Sequence, residues 1–238
     1  ISELMVDAGR RQDRATQDKH DDTLGFYTPI LKGFLTEMGL EAANLGMQVF
    51  GGHGYIHEHG MEQIARDARI ATLYEGTTGI QALDLLGRKV LLGTRGKCVR
   101  DFSRIMLRSA KTHWLAHGSI GRMARSTAKR AIEWNLLTLR IMRRVGKDRD
   151  LVGSASVDYL MYSGYVMMAH FWVRQAAVAQ TFLRNGKGAE SAEFYRAKIQ
   201  TAEFYFDRLL PRADAHRKSA LAPTRSLMQM GNGAFAFS

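Results

Sequence analysis

Apolar residues recur at every third or fourth position along most of this 238-residue chain, which is the spacing of amphipathic helices. The first clear stripe begins beside Thr28 and Pro29. These residues are typical of an N-cap and a first helical position, so a helix is predicted to start there. The adjacent glycines Gly51 and Gly52 predict where it stops. The stripe comprises Tyr27, Leu31, Phe34, Met38, Ala42 and Leu45.

The same rhythm predicts further helices along the chain. A short one is expected at about 62–70 and a longer one at about 78–92. The glycine-containing segment 93–96 is the best domain boundary, so we expect two domains, residues 1–93 and 97–238. Three long stripes follow it. They are Ile120, Met123, Thr127, Ala131, Trp134, Thr138 and Ile141; Val157, Met161, Gly164, Met168, Phe171, Gln175, Ala179 and Phe182; and Ala192, Tyr195, Ile199, Ala202, Phe206 and Leu209.

The pattern predicts an all-α fold. No segment alternates between apolar and polar residues over a useful length, so no sheet is expected. Short connections between long helices favour antiparallel neighbours, which indicates one helical bundle followed by a second, antiparallel one. Residues 10–23 are almost wholly polar and are predicted to form a surface connection. Residues 1–6 read like the interior of a helix, so the chain is expected to be the C-terminal piece of a longer protein.

Composition narrows the classes of protein. The formal net charge of +11 suits nucleic acid, anionic lipid or nucleotides as partners. The densest basic cluster, Arg140 to Arg149, has no interleaved aromatic residues for base stacking, so a solvated helix face is favoured over a nucleic-acid site. No apolar run approaches the ~20 residues of a membrane span. The single cysteine, Cys98, excludes an internal disulfide and suits a reducing compartment, so a cytoplasmic location is expected.

Glu75 is the best candidate for acid–base chemistry on the residues alone. It stands between an aromatic residue and a glycine, just before a helical pattern. The positive end of the helix dipole would favour its charged form, whereas the apolar neighbours Leu73 and Tyr74 would disfavour it by desolvation. A carboxylate between these two effects suits proton abstraction. The alternative is an acid that only caps the helix start.

Four segments, taken together, resemble the C-terminal domain of FAD-dependent acyl-CoA dehydrogenases. The resemblance covers residues 24–92 tightly, and in that family the motifs occur in the same order and with similar spacing. The segments are Gln48-Val-Phe-Gly-Gly-His-Gly-Tyr55, Arg66-Asp-Ala68, Tyr74-Glu-Gly-Thr77 and Ile80-Gln81. The first bundle is accordingly expected to be the C-terminal catalytic bundle of the acyl-CoA dehydrogenase fold.

The resemblance implies α,β-dehydrogenation of an acyl-CoA thioester to the trans-2-enoyl-CoA. Glu75 matches the family's base, which removes the α-proton while flavin N5 accepts the β-hydride. The Glu75 amide would meet the thioester carbonyl, Gly76 would let the substrate lie close, and Tyr74 would line the acyl pocket. Electrons would pass to an electron-transferring flavoprotein. Because Glu75 is intact, a base on an earlier helix is not expected.

The resemblance also implies a flavin site. Gln48, Gly51 and Gly52 match residues that contact the adenine-nucleotide half of FAD across a dimer contact, and Thr77 would meet the cofactor too. This chain departs from several members at Gly79, where they carry a second polar residue, so a side-chain contact is lost. A homodimer or homotetramer is expected by analogy.

The family resemblance leaves residues 97–238 without a catalytic role. They have no counterpart in the shorter members and are similar to the extended bacterial branch, so covering the catalytic bundle or making subunit contacts is expected. Trp114, Trp134 and Trp172 are predicted to pack in the core. A second hypothesis is a non-catalytic interaction or oligomerisation module that retains the motif. The family's N-terminal helical and middle β-domains are missing from this sequence, so the chain alone is expected to bind FAD poorly and to be inactive.

Other chemistries are disfavoured. His57 and His59 are spaced to chelate a metal, and His53 lies near them, but no suitably placed further ligand is evident, so no metal is expected. Cys98 lacks a convincing His and Asp pairing, which argues against a thiol nucleophile. Arg66 and Asp67 are predicted to form a structural ion pair, and Arg88 is predicted to be an exposed helix residue.

Overall fold

The computed structural model describes residues 14–186 and 188–235. Within them the chain is helical and contains no strand, so the predicted all-α fold is confirmed. No helix in this part of the chain is long and apolar enough to cross a bilayer. The helices are α1 (Arg14–Val49), α2 (Gly52–Tyr55), α3 (Met61–Ala71), α4 (Thr78–Leu83), α5 (Lys97–Thr112), α6 (Ser119–Val145), α7 (Leu151–Asn185), α8 (Ala192–Phe204), α9 (Arg212–Ser219) and α10 (Arg225–Met228).

Two of these helices continue with wider turns. After α4 the chain runs on as a π-type helix at Asp84–Gly93, and after α8 it does so at Tyr205–Leu209. Single 3₁₀ turns occur at His57–His59 and Asn232–Phe235. The helix expected at about 78–92 is therefore present, but its second half is wound less tightly than an α-helix, a difference that apolar spacing does not reveal.

Helix α1 contradicts two predictions. It does not start at Thr28 but passes through Pro29 as one helix from Arg14 to Val49, so the surface connection predicted for residues 10–23 is helical from residue 14 onward. Thr28 is not a cap, because its hydroxyl donates back to the carbonyl of Leu24 at 2.8 Å. Residues 10–13, and the helix interior suggested for residues 1–6, lie outside the described residues.

Packing explains why Pro29 does not end α1. A proline inside a helix removes one hydrogen bond and costs about 3 kcal/mol. Phe26 and Ile30, on either side of it, are both fully buried, and the Phe26 ring stacks on Trp134 at 5.9 Å between centroids. Burial of such side chains contributes about 1.5–3 kcal/mol each, which offsets the proline. The buried stripe is thus Phe26, Ile30 and Phe34, whereas the predicted members Ala42 and Leu45 are exposed.

Helix α7 forms the centre of the molecule. It packs against α1, α4, α6, α8 and α9, and every position from Tyr159 to Met167 is buried. A helix enclosed on most sides has no single apolar stripe, so the predicted one is only partly right. Its members Val157 and Phe171 are exposed.

Candidate functional site

The segment Tyr74–Thr77 forms a sharp turn between α3 and α4. Glu75 has a φ of 52° and Gly76 a φ of 93°, so two consecutive residues adopt a left-handed backbone. The Nε2 of Gln81 donates to the carbonyl oxygen of Glu75 at 3.1 Å. Thr77 caps α4, since its hydroxyl accepts from the amide of Ile80 at 3.4 Å. The turn is therefore held by the helix that follows it.

Helix α1 also anchors this turn. Thr78 donates to the carboxylate of Glu37 at 2.5 Å, and Lys32 donates to the carbonyl of Ala71 at 2.5 Å. The ammonium of Lys32 lies 5.1 Å from the centroid of the Tyr74 ring, a cation–π distance. Sequence reasoning did not single out Lys32 or Glu37. Both are half-buried polar residues of α1, and spacing alone gives no sign of their partners.

The turn leaves several backbone donors without a partner. In the part of the chain that the structure describes, the amides of Glu75, Gly76 and Thr77 donate to no protein acceptor. Consecutive free amides next to a carboxylate are the groups that can hold a carbonyl oxygen as it gains negative charge. The turn thus combines a potential base with potential oxyanion donors.

The Glu75 side chain is exposed. Leu73 is 45% exposed and Tyr74 is 51% exposed. In this chain by itself, Leu73 and Tyr74 therefore do not enclose the carboxylate.

The double-glycine loop lies at the end of α1. Gly51 has a φ of 59°, and no atom lies within 4 Å of the place that a Cβ would take at Gly51 or Gly52. Both backbones are thus open to close approach by a ligand. Gly54 differs, because a Cβ there would be 2.3 Å from the carbonyl oxygen of Met47, so its role is to close the loop.

A cleft of about 990 Å³ opens beside this loop, between α1 and α3. Arg66 and Arg69 line it, together with Asn44 and Tyr55. The ion pair predicted between Arg66 and its neighbour Asp67 is absent. Asp67 instead accepts from Nε2 of Gln63 at 2.7 Å. Two arginines three residues apart share one helix face, which the sequence reasoning missed.

The predicted site residues fall into two groups. Tyr74, Glu75, Gly76 and Thr77 are contiguous and lie next to the middle of α1, through the contact of Thr78 with Glu37. Gln48, Gly51 and Gly52 lie at its end. Gln48 follows Glu37 by eleven residues, a separation of about 16 Å along a helix.

The alternative chemistries find little support in the geometry. His57 contacts Glu62 at 3.1 Å, and no cluster of three or more potential metal ligands occurs among the described residues. Cys98 is half-buried, and the Thr94 hydroxyl lies 3.0 Å from its Sγ. Burial raises the pKa of this thiol, which disfavours the reactive thiolate. Arg88 is exposed as predicted and pairs with Asp84 on its own helix.

Two family models match the chain. Residues 4–91 match the model described as acyl-CoA dehydrogenase, C-terminal domain, and residues 100–231 match the model described as acetyl-CoA dehydrogenase C-terminal like. The second match alone covers more than half of the chain. Together they include both candidate groups of residues and most of the helices that follow.

Curated proteins of known activity are similar to the chain. A 3-methylmercaptopropionyl-CoA dehydrogenase from Ruegeria pomeroyi is 35% identical over 190 residues, 80% of this chain and 32% of that protein. A broad-specificity linear acyl-CoA dehydrogenase from Mycobacterium tuberculosis is 28% identical, over 87% of this chain and 34% of that protein. A butyryl-CoA dehydrogenase from Syntrophomonas wolfei is 26% identical, over 94% and 36%. The chain spans about a third of the length of these relatives.

Proposed function

The chain belongs to the acyl-CoA dehydrogenase family, and we propose that it forms the C-terminal part of an FAD-dependent enzyme that oxidises an acyl-CoA thioester to the trans-2-enoyl-CoA. The substrate class follows from the relatives, all of which are named as dehydrogenases of CoA thioesters. The observation that carries the proposal is the turn at Glu75. A carboxylate there stands beside unpartnered amides, as removal of a weakly acidic proton requires.

We assign the proton transfer to the carboxylate of Glu75. It takes the α-proton of the thioester, and the negative charge that develops on the thioester oxygen is stabilised by the Glu75 amide. Gly76 has no side chain to obstruct the substrate, and Tyr74 lines the acyl pocket. The capping of α4 by Thr77 and the bond from Gln81 keep this backbone in place, so the donors need no rearrangement during the reaction.

The residues present fit FAD. Gly51 and Gly52 offer a backbone that a ligand can approach closely, and the two arginines of the adjacent cleft provide positive charge that suits a pyrophosphate. We propose that Gln48, Gly51 and Gly52 hold the adenine-nucleotide half and that Thr77 makes a further contact. When bound, FAD supplies the acceptor for the β-hydrogen.

Several finer points are part of the same proposal. An electron-transferring flavoprotein would reoxidise the enzyme, which would act in the cytoplasm as a homodimer or homotetramer. The 238-residue chain alone is expected to bind FAD weakly and to be inactive, because the rest of the relatives' length would complete the pocket. The alternative is a non-catalytic module that retains the motif.

Replacement of Glu75 by Gln tests the base. In the longer polypeptide of which we propose this chain is part, acyl-CoA should bleach the flavin absorbance of the wild type. Glu75→Gln should slow bleaching by roughly 10²- to 10⁴-fold, because it removes the general base while FAD stays bound. The matched control is Glu193→Gln, an exposed acid on α8 that should bleach normally.

The outcomes separate the two functions. An undiminished rate in Glu75→Gln would refute the assigned base. A wild type that binds FAD but is bleached by no acyl-CoA would favour the non-catalytic module instead.

A further inference from the structure

Nearly all the excess positive charge of the chain lies in one structural unit. Helices α5 and α6 and their connecting turn, residues 97–145, form a hairpin that we call the basic hairpin. It contains twelve Lys and Arg residues against two acids, a net charge of +10, whereas the whole chain carries +11. Residues 102–132 hold seven Lys and Arg and no Asp or Glu. The basic character of the protein is therefore local.

The turn of the basic hairpin, residues 113–118, exposes two large apolar side chains. Leu115 is 88% exposed and Trp114 is 45% exposed. Core packing was predicted for all three tryptophans, and Trp134 is indeed fully buried, but Trp114 is not. We call this turn the hairpin tip. Adjacent exposed Trp and Leu side chains in a short turn are free to contact an apolar partner.

Hydrogen bonds hold the hairpin tip in a defined shape. The guanidinium of Arg125 donates to the carbonyl of Trp114 at 2.9 Å, and the amide of Ala116 donates to the carbonyl of His113 at 3.1 Å. A Cβ at Gly121 would lie 1.8 Å from the Ala116 oxygen, so only glycine lets the turn close against α6. The two apolar side chains are thus presented by a fixed backbone.

Cations surround the hairpin tip. Arg108 and Lys111 lie in the last turns of α5, and Arg122 and Arg125 lie in the first turns of α6, all of them exposed. Arg122 pairs with Asp207 at 2.6 Å. Within the described residues no acid pairs with Arg108, Lys111 or Arg125. Their charge is available to an anionic surface.

We propose that the hairpin tip docks on a bilayer surface that carries anionic headgroups. Trp114 and Leu115 enter the boundary between headgroups and acyl chains, where tryptophan is favoured, and the surrounding cations contact the phosphates. A nucleic acid is a poorer match, because stacking needs several aromatic side chains and Leu115 contributes nothing to phosphate binding. The apolar hairpin tip matches the acyl-chain boundary, and the surrounding cations match the anionic headgroups, so a lipid surface is complementary to both features.

Vesicle sedimentation with the 238-residue chain tests this docking. The chain should co-sediment with vesicles of phosphatidylcholine and phosphatidylglycerol but not with phosphatidylcholine alone, and about 0.5 M salt should weaken the binding. Arg108→Gln combined with Lys111→Gln should weaken partitioning about 30-fold, at ~1 kcal/mol for each cation near the surface. Leu115→Ser should weaken it at least about tenfold.

A second pair of cations provides the matched control. Lys147 and Arg149 are exposed and follow the far end of α6, about 40 Å from the hairpin tip. Lys147→Gln with Arg149→Gln removes the same charge and should change binding less than about twofold, since the distance exceeds the Debye length. Circular dichroism verifies that each variant keeps its helical content.

Tryptophan fluorescence identifies the inserted group. Anionic vesicles should shift the emission to shorter wavelength, and Trp114→Phe should remove the shift. The proposal is overturned by equal binding to neutral and anionic vesicles, or by equal losses in the two charge pairs. It is also overturned if Leu115→Ser binds like the wild type while duplex DNA competes fully, which would indicate a general polyanion site. An unshifted Trp114 emission on bound vesicles likewise excludes insertion.

Discussion

At the scale of single residues, backbone geometry distinguishes the turn at Glu75. A left-handed conformation costs a non-glycine residue about 1–2 kcal/mol, so surrounding contacts must hold Glu75 in it. Gln81 does this from α4, and Lys32 secures the preceding chain end from α1. The residues of the Tyr74–Thr77 motif identified Glu75 as the candidate base, but they could not predict its left-handed backbone. The contact with Lys32 joins residues far apart in the sequence.

Gly76 should tolerate a side chain less well than a glycine in open surroundings such as Gly39. Its φ of 93° suits glycine alone, and a Cβ there would lie 2.8 Å from Nε2 of Gln81. Gly76→Ala should therefore lower the free energy of unfolding by about 1–3 kcal/mol, measured by urea denaturation. The control is Gly39→Ala within α1, where no atom lies within 4 Å and stability should rise by up to about 1 kcal/mol. Identical effects of the two substitutions would contradict the backbone assignment.

His170 is a buried titratable residue away from the proposed site. It is 2% exposed, and its ring lies 5.7 Å from that of Phe102 and 5.3 Å from that of Phe171. Burial, and secondarily the charge of Arg174, lower the pKa of this histidine from 6.5 to about 4. The folded state therefore favours the neutral ring.

Protonation of His170 should make stability depend on pH. Between pH 6.5 and about 4 the unfolded chain binds a proton that the folded chain excludes. The contribution is complete above pH 6.5 and falls as the pH is lowered to about 4, by roughly 3 kcal/mol. Urea denaturation across this range should show a smaller pH dependence in His170→Leu, whereas the exposed-site variant His117→Asn should retain the slope of the wild type. An unchanged slope in His170→Leu would exclude this group as the cause.

At the scale of helices, apolar spacing predicted the buried face correctly only where neighbouring helices pack on one side of the helix. All seven members of the stripe predicted from Ile120 to Ile141 are buried, because α6 packs through one side only. The stripe predicted on α7 is only partly right, because helices cover that element on most sides. Thr28 and Pro29 misled in α1, because they are typical of a helix start but lie inside a longer helix. Burial of Phe26 and Ile30 stabilises that helix through the proline, and only the tertiary structure reveals it.

Gly164 controls how closely α1 approaches α7. A Cβ at this position would lie 2.1 Å from Cγ of Phe34, so the two helices touch where the side chain is missing. Gly164→Ala should cost about 1–3 kcal/mol in the free energy of unfolding, because the core is overpacked. Gly153→Ala, in the same helix but with no atom within 4 Å, should leave stability unchanged or raise it slightly. Thermal or urea denaturation that ranks the two variants equally would disprove the close crossing.

At the scale of the whole molecule, the two matched family segments share one hydrophobic core. The core includes Phe34 from the first segment and Tyr159 from the second without interruption. In addition, Nη1 of Arg212 on α9 donates to both carboxylate oxygens of Glu41 on α1, at 2.6 and 2.8 Å. The glycine-containing segment 93–96 looks like a linker in the sequence. In the fold, however, Gly96 is buried and its amide donates to the carbonyl of Val90 at 2.7 Å. Composition cannot reveal this, since a packed glycine turn and a flexible one are built from the same residues.

A shared core should make the chain unfold in one cooperative transition. Trp134 lies where the two matched family segments meet. Its buried ring stacks on Phe26 of α1, in the first segment, while its own helix α6 belongs to the second. In a Trp114→Phe background, urea transitions followed by tryptophan fluorescence and by far-ultraviolet circular dichroism should coincide. Gly164→Ala should move both midpoints together, because it disturbs the contact between the segments. Two separate transitions, with only one displaced, would instead support the predicted division into residues 1–93 and 97–238 as independently folding units.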